Sequence, residues 1–212
     1  MSRSDPAGEP AAETRKSTRQ KPIELIVIGC SAGGPPALQE ILPVLPRDTN
    51  AAVLVAQHMP QRFTSLFAGR LHRLCALPVS EPKEGDRFAS GRIYIAAGGQ
   101  QTTLERQSQT ILFRVRPRDA SERYAPSADL LMASVAGLFG PRVLAVLMTG
   151  MGGDGVAGLR AVKERRGQTI AESEETAAVF GMPRGAIRAG LADRVLPRRE
   201  IALEMVRLCR RS

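Results

Sequence analysis

The chain has 212 residues and a mass of 22.8 kDa, enough for one domain whose core needs no disulfide or metal staple. Apolar residues make up 43% and charged residues 24%, which excludes a fibrous or wholly disordered chain. A net charge of +9 admits nucleic acid or an acidic protein surface as partner, but 4% aromatic content and no tryptophan leave few stacking platforms and argue against nucleic acid.

Residues 1–22 are rich in Ser, Thr, Ala, Pro and charge, and read as a disordered tail before a domain over 23–212. The run 23–28 is a buried strand ending at Gly29, and 35–42 a helix with prolines in its first turn. A second buried strand covers 51–56. Thr64 is expected to cap a helix with Leu66, Phe67, Leu71 and Leu74 on one side. The middle is more β-like: a strand over 92–96, then a hairpin of 102–106 and 110–116 around Gln107-Ser108-Gln109. Alternation then resumes with a helix over 127–139, a buried strand over 143–148 and a helix over 156–166 stopped by Gly167. A strand over 168–171, a short helix over 174–180, a strand over 193–196 and a closing helix over 198–210 complete the chain. Strands apolar on both faces and separated by helices predict an α/β fold. The sheet is expected to be parallel, with helices covering both sides, beside the β-hairpin.

In such sheets the functional crevice lies beyond the carboxyl ends of the strands. Gly29-Cys30-Ser31-Ala32-Gly33-Gly34 follows the first strand, Gln57-His58-Met59-Pro60 the second, and Thr149-Gly150-Met151-Gly152-Gly153-Asp154-Gly155 the strand over 143–148. A serine, a histidine and an aspartate thus reach the same rim. Acyl transfer needs those three groups: a hydroxyl to attack, an imidazole to take its proton, and a carboxylate to fix the imidazole tautomer. Residues 29–33 also fit G-x-S-x-G, the strand–turn–helix elbow of serine hydrolases, although a glycine-rich turn more often just packs or binds phosphate.

Chain order narrows the choice. An α/β-hydrolase runs Ser, acid, His, and no histidine follows His72 here. G-x-G-x-x-G is absent from 29–34 and the P-loop pattern is absent throughout, against nucleotide binding. His72 lies between arginines on a helix and reads as solvent-facing, which leaves His58 as the candidate if an imidazole is the base; its alternative is a structural histidine capping the strand. Asp154 lies in a glycine-dense loop at the end of a core strand, unlike the other aspartates; its alternative is a turn residue capping the next helix. Cys30, Cys75 and Cys209 have no C-x-x-C spacing, and with two histidines a zinc site is not expected. There is no apolar run long enough for a membrane span and no secretory h-region, so a reduced, cytoplasmic setting is expected.

Four motifs, I-G-C-S-A-G-G, V-A-Q-H-M-P, T-G-M-G-G-D-G and F-G-M-P-R, occur in the order and spacing of one family. From about residue 23 to 205 the chain resembles the catalytic domain of the CheB-type chemotaxis protein-glutamate methylesterases. The resemblance implies hydrolysis of γ-glutamyl methyl esters on the cytoplasmic domain of methyl-accepting chemoreceptors, an activity that several members combine with deamidation of receptor glutamines. It implies Ser31 as nucleophile, His58 as base, Asp154 as orienting acid, and the backbone amides of Ala32 and Met151 as the oxyanion hole. The fold it implies is an α/β, doubly wound, mostly parallel sheet with helices on both faces and an added β-hairpin, and no metal and no organic cofactor are implied. The partners are the receptor and other chemosensory proteins, with no nucleic acid and no membrane insertion.

The sequence departs from the family pattern in three places. Ala32 stands where threonine is usual. The H-R-P-S-V-D-like stretch is Tyr124-Ala125-Pro126-Ser127-Ala128-Asp129, without its arginine. Only about 22 residues precede the first strand, against the ~120 of the receiver domain that many members carry, so either a stand-alone esterase or a piece of a longer chain is expected. The rival readings are a non-hydrolytic binding protein of a chemosensory array and a phosphate binder built on the two glycine-rich turns.

Overall fold

Leu25–Cys30 (β1) is buried at every position, and so are Ala52–Gln57 (β2) and Val143–Leu147 (β7), because helices cover both faces of the sheet. A computed structural model describes residues 22–209. The remaining elements are α1 (Gly34–Ile41), α2 (Gln61–Leu74), β3 (Val79–Ser80), β4 (Ile93–Ile95), β5 (Gln100–Gln107), β6 (Thr110–Pro117), α3 (Ala128–Phe139), α4 (Val156–Glu164), β8 (Gln168–Glu172), α5 (Met182–Arg188), β9 (Arg194–Leu196) and α6 (Arg198–Cys209).

Seven strands form one parallel sheet in the order β3-β4-β2-β1-β7-β8-β9, with β5 and β6 a separate antiparallel hairpin. The architecture is the expected one. Period-two alternation divides β1 between two cores. Ile26, Ile28 and Cys30 pack with α1, α2 and α6. Leu25 and Val27 face α3, α4, α5 and the hairpin residues Leu104 and Phe113. Emptying one such fully buried position to alanine costs about 2–5 kcal/mol, so this two-sided packing fixes the strand ends firmly.

The chain leaves β1 toward β2 on one side and later returns to β7 on the other. The sheet therefore switches direction beside β1, and the crevice opens at the carboxyl ends of β1, β2 and β7.

Two expectations are corrected. Thr64 does not cap α2: the helix starts at Gln61 behind Pro60, and Thr64 is buried in its second turn. Leu66 and Leu74 face solvent, while Phe67, Ala68 and Leu71 make the buried side. No helix forms over 174–180. Those residues make turns, and the helix comes next, over Met182–Arg188. The expected tail, apart from Pro22, lies outside the described residues.

Candidate active site

Ser31 is the first residue beyond β1, and its N–H donates to the Thr149 carbonyl at 2.9 Å, tying the turn after β1 to the loop after β7. The turn reverses at Gly33, whose φ of 82° lies in the left-handed region, and α1 starts immediately after it. Ser31 itself is not among the non-glycine residues with positive φ. The literal G-x-S-x-G match therefore lacks the strained serine of the hydrolase elbow, and a glycine carries the sharp bend instead.

His58 follows β2, and its N–H donates to the Cys30 carbonyl at 3.0 Å. Its imidazole Nε2 lies 2.7 Å from Asp154 Oδ2, although the two residues are 96 positions apart. The His58 side chain is 15% exposed and that of Asp154 only 1%. Bonding through Nε2 puts the neutral ring's proton on that nitrogen and leaves the Nδ1 lone pair free to accept one. The ring nitrogens thus exchange the roles they have in chymotrypsin-type triads. Among the described residues the Ser31 hydroxyl makes no hydrogen bond to His58.

Asp154 is held from three more directions. The backbone N–H groups of Ala128 and Asp129 donate to it at 2.7 and 3.0 Å, and Ser127 Oγ donates at 2.9 Å. It therefore receives the free amides at the start of α3, where the helix dipole favours an anion. It does not cap α4, the next helix. Asp129 does that, accepting the Gly158 N–H at 2.6 Å. Burial pushes the Asp154 carboxyl up, but the bonds from His58, Ala128 and Asp129 outweigh it and leave the group below the ordinary aspartate value. Asp129 shifts the other way, raised by burial and by the neighbouring Asp154 charge.

Ala32 and Met151 lie in the loops that follow β1 and β7. Both residues are exposed, Met151 at 74%, and among the described residues neither N–H donates a backbone hydrogen bond. Side chains behind them fix their loops. Thr149 Oγ1 donates to the Ala32 carbonyl at 2.8 Å and accepts the Val179 N–H at 3.0 Å. Glu172, fully buried at the end of β8, accepts the Thr149 N–H at 2.8 Å and is paired with Arg198 Nε at 3.2 Å. Gln57 spans the serine and histidine turns: its Nε2 donates to the carbonyls of Ser31 and His58, both at 2.9 Å. The Cys30 thiol donates to Gln57 Oε1 at 3.1 Å. Burial, and after it the Glu172 charge, raises the Cys30 thiol far above its ordinary range, so it is no competing nucleophile.

Sequence reasoning missed Gln57, Ser127, Thr149 and Glu172 as parts of this site. Each is a buried polar residue at a strand or helix end, a signal that burial alone reveals. His72 is exposed as expected, though its Nδ1 accepts the Val79 N–H at 3.1 Å.

Residues 26–205 match the family model described as CheB methylesterase. The chain is 45% identical over 202 residues, 94% of its length, to a Geobacter sulfurreducens protein named protein-glutamate methylesterase/protein-glutamine glutaminase 3. It is 47% identical over 186 residues, 88% of its length, to number 5 of that name from Anaeromyxobacter dehalogenans. It covers 54% and 51% of those two proteins, so it spans about half the length of the curated relatives it matches. Among solved structures it is similar to the Thermotoga maritima CheB methylesterase catalytic domain, with a TM-score of 0.84 and 38% identity. That match covers 88% of this chain and 98% of the other. With a family model matched from β1 into α6 and the fold shared with a CheB catalytic domain, the chain belongs to the CheB methylesterase family.

Proposed function

We propose that this chain is a serine esterase that removes methyl groups from γ-glutamyl methyl esters on the cytoplasmic domain of chemoreceptors. The observation that carries the reading is the His58–Asp154 pair at 2.7 Å, its aspartate buried, on the rim that also holds Ser31. His58 Nδ1 takes the Ser31 Oγ proton as the oxygen attacks the ester carbonyl. The oxyanion that develops lies against the amides of Ala32 and Met151, which donate to it. The imidazolium returns its proton to the leaving methoxide, and methanol departs from a glutamyl–Ser31 ester. Water, deprotonated by His58, attacks that ester, the bond to Ser31 Oγ breaks as the imidazolium returns the proton to it, and the glutamate side chain is freed. A glutamine amide in the same place would lose ammonia by the same steps, the deamidation that the relatives' names include. No step needs a metal or an organic cofactor.

The cytoplasmic domain of a receptor as substrate places the enzyme in the cytoplasm. Among the described residues no helix is long and apolar enough to cross a membrane. The test is methanol release from a methylated receptor fragment by the wild-type chain and by Ser31→Ala. The expected result is turnover by the first and none by the second. Equal methanol release from both would remove Ser31 from the mechanism. No release by the wild type would favour the non-hydrolytic binding protein.

A further inference from the structure

The Tyr124 ring lies on the proposed base. The His58 and Tyr124 ring centroids are 4.9 Å apart and the planes differ by 10°, a parallel stack. Tyr124 is held from outside the stack as well. Its carbonyl accepts Gln101 Nε2 at 2.7 Å, and Gln101 Oε1 accepts the Ser127 N–H at 2.9 Å. The amide of Gln101, buried at the start of the hairpin, thus brackets the segment 124–127. One end of that segment covers the base and the other donates to Asp154. The hydroxyl edge of the ring reaches the loop of Met151. A Cβ built on Gly152, where φ is 102°, would stand 2.5 Å from the Tyr124 hydroxyl and 3.4 Å from the ring carbon that bears it.

We propose that Tyr124 is a positioning residue, whose ring fixes the His58 imidazole plane and ties the base to the Met151–Gly153 loop. The proposal rests on the hydrolase reading above. An imidazole bonded only through Nε2 can still rock about that bond. A flat ring against its face removes this freedom and keeps Nδ1 directed along one line. Misplacing a reacting group by an ångström can cost about a hundredfold in rate. Gly152 then has a role beyond its turn, since it leaves room for the hydroxyl.

Three variants and two measurements test this. Tyr124→Ala and Tyr124→Leu remove the aromatic plane, the second keeping apolar bulk in case the first does not fold. Both should lower kcat by about 10- to 100-fold while KM changes by less than about threefold, because a positioning loss acts on the reacting geometry. Tyr124→Phe keeps the ring and should restore kcat to within about threefold of wild type. The second measurement is the proton spectrum of the free protein, which needs no turnover. The His58 ring signals should be shifted by the aromatic ring current in wild type and Tyr124→Phe, and should move toward ordinary positions in Tyr124→Leu.

A double-mutant cycle adds an independent check. Gly152→Ala should cost more kcat in the wild-type background than in the Tyr124→Phe background, since backbone strain at residue 152 is common to both and only the hydroxyl clash differs. An unchanged kcat in Tyr124→Leu would overturn the proposal. So would a rise in KM alone, which would make Tyr124 a substrate contact, or a Tyr124→Phe loss as large as that of Tyr124→Leu. If wild type releases no methanol, the hydrolase reading fails. If His58 signals are indifferent to Tyr124→Leu, the positioning proposal fails whatever the turnover.

Discussion

The two ends of the site are built in opposite ways. At the acid end, Asp154 is buried and accepts hydrogen bonds from His58, Ser127, Ala128 and Asp129, so its charge is fully solvated by the protein. At the proposed oxyanion end, Ala32 and Met151 are exposed and their amides donate no backbone hydrogen bond among the described residues. A charge present throughout the cycle needs permanent partners, while a charge that exists only in the transition state needs donors kept in reserve. Ser31 sits between the two, joined to one by the Gln57 amide and to the other through Thr149.

The largest predicted effect falls on the residue between the ends. Ser31→Ala should cut kcat for methanol release by about 10⁶-fold, with the thermal unfolding midpoint unchanged. His58→Ala should do comparable damage. Substantial residual turnover in either would detach the residue from both ends of the comparison.

Asp154→Asn tests the acid end. It nearly preserves shape but turns one acceptor into a donor, so the imidazole tautomer is no longer fixed, and a loss of about 10⁴-fold in kcat is expected. The same residue predicts a pH effect on stability. Its carboxyl is lowered in the folded state, so its contribution is present above the ordinary aspartate range and disappears as pH falls through its folded value. Asp129, shifted upward, has the opposite sign and offsets part of this. Acid titration of the unfolding midpoint in wild type and Asp154→Asn should show a shallower acid limb in the variant. Parallel limbs would mean that Asp154 is not the strongly solvated charge the geometry describes.

The shared rim of these candidate positions was legible because topology constrains it. Once β1, β2 and β7 are recognised as apolar on both faces, the residues after them must share a rim. Local signals failed where tertiary bonds claim the backbone. Residues 174–180 have helix-compatible composition, yet the Val179 N–H donates to Thr149 Oγ1, the Val179 carbonyl accepts the Gly150 N–H, and the Thr176 carbonyl accepts the Arg198 guanidinium. Those groups are no longer free for a helix ladder. The helix forms after them instead, where Pro183 stands in the first turn of α5. Thr64 looks like a cap but donates to the Gln61 carbonyl and accepts the Gly98 N–H, a partner 34 residues away that no local pattern shows. Glu172 was opaque for the same reason: a carboxylate at a strand end signals exposure unless the arginine that pairs with it is known to return from α6.

Thr149→Val should have a smaller effect, about 10-fold on kcat, because it removes the bonds to the Ala32 carbonyl and the Val179 N–H while leaving every reacting group in place. The Val179 N–H loses its acceptor, and a destabilisation of about 1–3 kcal/mol should accompany the rate loss. A full rate with reduced stability would show that the oxyanion loops hold their geometry without Thr149.

Ala32→Thr should matter least. The proposed donor at this position is the backbone N–H, which the substitution keeps, and the Ala32 carbonyl remains bonded to Thr149 Oγ1. Residue 32 is exposed, and its φ is not positive, so a β-branched side chain meets neither a packed wall nor a forbidden backbone. Turnover within about threefold of wild type is therefore expected, with KM for a methylated receptor fragment the more sensitive quantity, since a side chain here borders the open end of the crevice. A gain in kcat without change in KM would mean that the added hydroxyl reaches the transition state, and that the oxyanion end of this protein has room for one more donor than it carries. A loss beyond about tenfold would mean that the turn after β1 depends on a small residue, and would move the oxyanion contact away from the Ala32 amide.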